Sequence, residues 1–227
     1  MTGVIIVSSS SILIRWTGDV PFAVIAFYRV FISFCILLSY QIIHPRRTLC
    51  SLGKWRWPYI LAGFFLAAHF ITWIASVQMT TIANAIFLGS MHPLFGVLVS
   101  IVFLKEFPHR RTIPVFVLAF IGMFIIFYTD LYEQGVAIWG DSLAFLSALF
   151  FALYLLIARI YKSEPDFIRY LIYIYGSAAF FSMGYILLVG NPLLGFSLES
   201  WIFIVLLTIG PNLLGHSTLN WASRHLE

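Results

Sequence analysis

Eight apolar runs, at about residues 1–14, 20–43, 57–79, 83–104, 112–129, 137–159, 167–190 and 199–223, constrain this chain more than any other feature. They are too long for strands and lack the period-2 alternation of a membrane barrel. In hydrocarbon every backbone amide must find its partner within its own segment, so helices are the structures open to such runs. The expectation is an all-α integral membrane protein, a polytopic bundle of about eight transmembrane helices in contact with the lipid bilayer. Composition agrees: 61% of the residues are hydrophobic and 10% are charged, too few polar groups to cover a soluble domain.

The net charge of +4 does not make a nucleic-acid surface, because the basic residues are confined to short segments between apolar runs. Residues 44–56 carry His44, Arg46, Arg47, Lys54 and Arg56 without an acid; 105–111 carry Lys105, Arg110 and Arg111 against Glu106; Arg159, Lys162 and Arg169 flank a third loop. By contrast residues 80–82 and 191–198 hold no charge, and 130–136 hold only Asp130 and Glu133. The positive-inside rule then places the N-terminus and all three basic loops in the cytoplasm of a cell-membrane protein. Met1 to Ile14 lacks the basic n-region of a signal peptide and is expected to be a first, short helix. Cys35 and Cys50 form neither a disulfide framework nor a metal-spaced set, and no metal or other cofactor is expected.

Arg29 lies deep in the second run, where an arginine costs about 2.5–3.5 kcal/mol on the lenient insertion scale and usually lines a cavity. It is a pathway candidate, with a structural brace to helix-end carbonyls as the alternative. His69, Thr72, Trp73 and Ser76 fall on one face of the third run, and Asn212, His216, Asn220 and Ser223 on one face of the eighth. Such stripes are either pathway walls or polar helix contacts. In the fourth run Asn84 lies near the start and Pro93 predicts a kink opposite the Gly89 carbonyl. Ala144, Ala148 and Ala152, and likewise Gly122, predict close helix contacts. No acidic residue lies deep in an apolar run, so a buried carboxylate relay is not expected. Hydrolase and phosphate-loop signatures are absent, and the chain is not expected to be an enzyme.

Ala68–Ser76 resembles Gly215–Ser223, sharing His, Ala and Ser at a constant offset of 147 (216 − 69). The two runs are an odd number of crossings apart, as in the inverted repeats of secondary transporters. The expected division is a first repeat over 1–129 and an incomplete second repeat over 137–227. Because Glu227 closes the sequence as the eighth run ends, a fragment of a longer protein is expected.

Val20–Arg29, His69 and Trp73 leading through Thr80–Ala85, Pro93 followed by Phe103–Glu106, Gly140–Asp141 with Ala144–Arg159, and Gly215–His216 with Asn220–Ala222 together resemble the drug/metabolite transporter superfamily, specifically its EamA-like family. The resemblance implies ten helices in two inverted five-helix repeats, exporting or exchanging small polar metabolites such as amino acids. Two departures stand out: Tyr173 occupies the position matching Arg29 in the second half, and two helices are missing. Arg29, His69, Trp73, Asn84, His216 and Asn220 are the expected substrate-pathway residues, with a small-molecule substrate as partner. A homodimer is one assembly open to the chain. A non-transporting helical assembly module is the alternative function.

Overall fold

The structure is a computed structural model that describes residues 6–44, 57–133, 137–160 and 167–225. Most of the basic loop at 44–56 and the turns at 134–136 and 161–166, on which the charge pattern rests, lie outside the described residues. The helices are α1 (Ser10–Trp16), α2 (Phe22–Ile43), α3 (Trp57–Met79), α4 (Ile82–Gly89), α5 (His92–Leu104), α6 (Ile113–Glu133), α7 (Ala137–Ile160), α8 (Phe167–Val189), α9 (Leu198–Leu207) and α10 (Ser217–His225), with a π-helical stretch, Thr208–His216, between the last two. Among the described residues the regular structure is entirely helical. Among the described residues six spans are long and apolar enough to cross a membrane: Phe22–Ile43, Trp57–Met79, Ile82–Leu104, Ile138–Ile160, Phe167–Val189 and Leu198–Trp221.

These runs become helices because each must satisfy its own backbone away from water. Their polar minority then decides which side faces inward. Ala144, Ala148 and Ala152 are buried on α7, as their spacing predicts, and Ala148 and Ala152 pack with Met91, Leu94 and Phe95 at the start of α5. Side chains this small let the two backbones approach closely. Gly63 does the same for α3 and α8: a Cβ there would stand 2.4 Å from that of Ser177 and 2.9 Å from the Ile174 carbonyl oxygen. On the opposite, outward side, Val115, Leu118, Ile121 and Phe124 of α6 and Leu187 and Leu188 of α8 are exposed. Exposed apolar surface of that kind is what a lipid-facing helix requires.

Two helices are interrupted. The expected kink at Pro93 is a full break: α4 ends at Gly89, and α5 restarts at His92 with the proline in its first turn, where a missing N–H costs nothing. Pro93 leaves the Gly89 carbonyl without its usual donor, and the His92 ring nitrogen Nδ1 lies 3.4 Å from that oxygen. The second interruption departs from the sequence expectation of one continuous apolar helix over the eighth run. Pro211 removes a ladder donor inside it, and the chain answers by widening to π geometry from Thr208 to His216.

Each end of the bundle has its own polar clasp. At one end Thr80 Oγ1, just after α3, donates to Asp141 Oδ1 at 2.6 Å, and Asn84 Nδ2 lies 3.5 Å from Asp141 Oδ2. Asp141 is fully buried although it stands at a helix end. Arg15 Nη2 adds a bond to the Thr80 carbonyl. At the other end of α7, 18 residues (159 − 141) and so about 27 Å along it, Arg159 pairs with Glu106 at 2.9 and 3.4 Å. Lys105 enters the left-handed region (φ 57°) to close α5, which turns the chain toward this contact.

The two clasps differ in weight. Arg159 and Glu106 are 46% and 53% exposed, a setting in which an ion pair contributes about 0–1 kcal/mol. Glu106→Gln is therefore expected to leave the melting temperature in detergent nearly unchanged. Asp141→Ala strands Thr80 and Asn84 in a buried site and is expected to cost about 1–3 kcal/mol, read as a clear drop in the same measurement. Gly63→Leu drives a side chain into α8 and is expected to destabilise by about 1–3 kcal/mol; an unchanged melting temperature would refute the close approach of α3 and α8.

Candidate functional site

The break between α4 and α5 and the π stretch before α10 open onto the same space. A cavity of about 110 Å³ is lined there by residues that include Ser10, His69, Trp73, His92, Phe151 and His216. Its height follows from the helices that build it. His69 is twelve residues (69 − 57) from the start of α3 and ten (79 − 69) from its end, so it lies at mid-span. Phe151 occupies the middle of α7.

Phe151 is the hub of this wall. Its ring centroid is 4.7 Å from that of His69, 5.0 Å from His92 and 5.5 Å from His216. His69 and His216, the matching histidines of the two similar sequence stretches, come within 5.9 Å of each other. Their surroundings differ. His69 Nδ1 is 2.8 Å from Ser147 Oγ and 3.0 Å from the Ser147 carbonyl, which fixes its ring against α7. His216 Nδ1 is buried and has no hydrogen-bond partner among the described residues. Trp73 closes the cavity beside the break because Gly89 has no side chain; a Cβ at Gly89 would lie 2.3 Å from the Trp73 ring.

Arg29 is behind the wall rather than on it. Its helix begins at Phe22, so it lies seven residues (29 − 22) in, about 10 Å from that end and nearer to it than the sequence suggests. Only 1% of its surface is exposed. The guanidinium lies over the Phe70 ring, 4.3 Å from its centroid, and Nη1 donates to Ser10 Oγ at a long 3.3 Å. Its Nε has no partner, and it forms no ion pair with any described residue. Phe70 joins it to the cavity, since the centroid of its ring also lies 5.0 Å from that of His216 and 5.1 Å from that of His69. Asn212, one turn before His216, donates Nδ2 to the Arg29 carbonyl at 3.1 Å and to Ser33 Oγ at 2.7 Å, and its Oδ1 is buried without a partner.

Of the residues expected on a pathway, the cavity therefore gathers His69, Trp73 and His216, with Arg29 bonded to its wall through Ser10. The other two lie elsewhere. Asn84 sits in the turn after α3, tied to Asp141. Asn220 is buried against α7, where its Oδ1 accepts the Tyr154 hydroxyl. Ser10, Ser147 and Phe151 were missed. Ser10 stands in the run Ser8–Ser11, a polar interruption that could have marked it, whereas nothing local distinguishes Ser147 or Phe151 from packing residues. His92 was visible in the fourth run but was not put forward.

A solved structure described only as "Crystal structure of protein" superposes with a TM-score of 0.72 at 17% identity, covering 98% of this chain and 77% of that one. Identity that low speaks to the fold alone. No curated protein sequence matches the chain. The model of the EamA-like transporter family matches residues 1–128, more than half of the 227. A bundle of membrane-length helices interrupted beside one interior polar cavity, in a chain matched over that extent, is a membrane transporter rather than an enzyme, and the chain belongs to the EamA-like transporter family.

Proposed function

We propose that this chain is a secondary transporter, an exporter or exchanger, that moves a small polar metabolite such as an amino acid across the cytoplasmic membrane by alternating access. The observation that carries the reading is the cavity at mid-span where both helix interruptions meet three histidines. Broken helices lend unpaired backbone groups to a site, which is how many transporters build theirs. His69, Trp73 and His216 form the wall that meets the substrate, and Arg29 sets the charge behind it.

The chain is organised as one five-helix repeat over 1–129 and part of a second, inverted one over 137–227. In this organisation the chain crosses eight times, through the six membrane-length spans together with α6 and the short first helix. Its N-terminus is cytoplasmic. In that orientation the Glu106–Arg159 pair lies at the cytoplasmic end and the Thr80–Asp141 contact at the outer end. The basic residues Lys105, Arg110 and Arg111 beside Glu106 support this direction.

Flux in proteoliposomes tests the reading. The reconstituted protein is offered a pooled, isotopically labelled mixture of small polar metabolites, alongside a Leu219→Trp variant whose enlarged side chain fills the cavity from the α10 side. At least one component is expected to cross with the wild-type protein, and its flux is expected to fall tenfold or more in the variant at equal insertion and melting temperature. If no component crosses, or if the filled variant carries it equally well, the cavity is not a transport site.

A further inference from the structure

The charge balance at the cavity is one-sided. Its lining holds three histidines and no acidic residue. Arg29, buried beside it, is a guanidinium and supplies a positive charge at neutral pH. Its present partners are an aromatic face and one serine hydroxyl, neither of which carries a negative charge. Of the described carboxylates, Asp141 is held by Thr80 at one end of the bundle and Glu106 by Arg159 at the other, and none forms an ion pair with Arg29.

Polar atoms without partners point to the same corner. Arg29 Nε is a donor with nothing to bond, and His216 Nδ1, on the cavity wall, is equally unpaired. Both side chains contact Phe70, the guanidinium over its ring and the imidazole in an edge-to-face arrangement with an interplanar angle of 74°. A buried polar group left unpaired in a folded protein is unusual and calls for a partner. Among the described residues none answers the Arg29 Nε donor or its charge.

We infer that the Arg29–His216 corner of the cavity binds the carboxylate head of a small organic monoanion. This deepens the transport reading above and rests on it. An arginine presents parallel N–H groups that match the two oxygens of a carboxylate, and the bond to Ser10, at 3.3 Å, is long enough to be exchanged for a charged acceptor. His216 supplies a further contact from the cavity side. A single fixed cation balances one negative charge, so a dianion would carry an unanswered charge into the membrane interior. An amine of the same shape would bring a second cation next to Arg29 and is excluded.

The test uses three probes of nearly one shape and different charge: radiolabelled propionate, propionamide and propylammonium. Equilibrium binding to the detergent-solubilised protein is measured instead of flux, because protonated propionic acid crosses bilayers unaided. Propionate is expected to bind at least tenfold more tightly than either of the others. Arg29→Gln is expected to abolish that preference, and Arg29→Lys to retain a weakened one. Ser10→Ala, which removes only the competing hydroxyl, is expected to leave propionate affinity equal or raise it two- to threefold. If Arg29→Gln does not fold, His216→Gln takes its place, with a tenfold loss expected for propionate and none for propionamide. Failure of propionate to bind, equal binding of the three probes, or a preference that survives both substitutions would overturn the anion site. Flux of another metabolite in the preceding experiment would then still stand, so the two readings fail separately.

Discussion

Hydrocarbon offers a backbone nothing to bond to, and that denial shapes this protein more than any side-chain contact. It makes the long apolar runs helical, and it makes each interruption of a helix a debt that some other group must settle. Here the interruptions number two among the described membrane spans, and both are settled next to the same cavity. At Gly89 the carbonyl released by Pro93 is approached by the His92 ring. In the last span Pro211 is absorbed by widening the helix to π geometry across nine residues. A π stretch redirects the residues beyond it, and in this chain it carries His216 to the cavity and Asn212 to the Arg29 carbonyl. The polar character of the interior is thus a consequence of where the backbone is broken.

Magnitudes separate the polar contacts that shape the bundle from those that decorate it. The Arg159–Glu106 pair has good geometry, yet both side chains are about half exposed, and its contribution is screened. Asp141 matters more, because it is sealed from solvent and its partners would be stranded without it. Arg29 is the extreme case. An aromatic face offers an arginine about 0.5–2 kcal/mol, comparable at best with the lower insertion cost of a cation at that depth. The remainder is left to packing and to whatever the site binds.

The fold was legible in the sequence because its determinant is one-dimensional. The length of an apolar run fixes whether it can cross a membrane, and α2, α3, α7 and α8 begin and end within a few residues of the runs that foretell them. The alanine face of α7 was legible for the same reason, since spacing alone places those residues together. The site was only partly so. Arg29, His69, Trp73 and His216 are costly or conspicuous in an apolar run, and depth singled them out. Asn84 and Asn220 looked alike on that criterion but are occupied by Asp141 and Tyr154, partners 57 (141 − 84) and 66 (220 − 154) residues away. Ser147 and Phe151 were invisible because a serine or phenylalanine is cheap in any membrane helix. Only the packing of α7 against α3 turns them into the partners of a histidine.

The two matched histidines make the last step. They hold equivalent places in two similar stretches of sequence, and the structure brings their rings within 5.9 Å. Symmetry of sequence has not become symmetry of bonding. His69 is bound to α7 through Ser147, whereas His216 keeps a buried nitrogen unpaired beside an unpaired arginine donor. Had both been satisfied by neighbouring helices, the cavity would be a packing defect with polar walls. Had neither been, the centre would lack a rigid side for a ligand to bind against. One fixed histidine and one with bonding capacity in hand give the cavity a scaffold face and a receptive face. The receptive face lies toward Arg29, where the uncompensated charge already is.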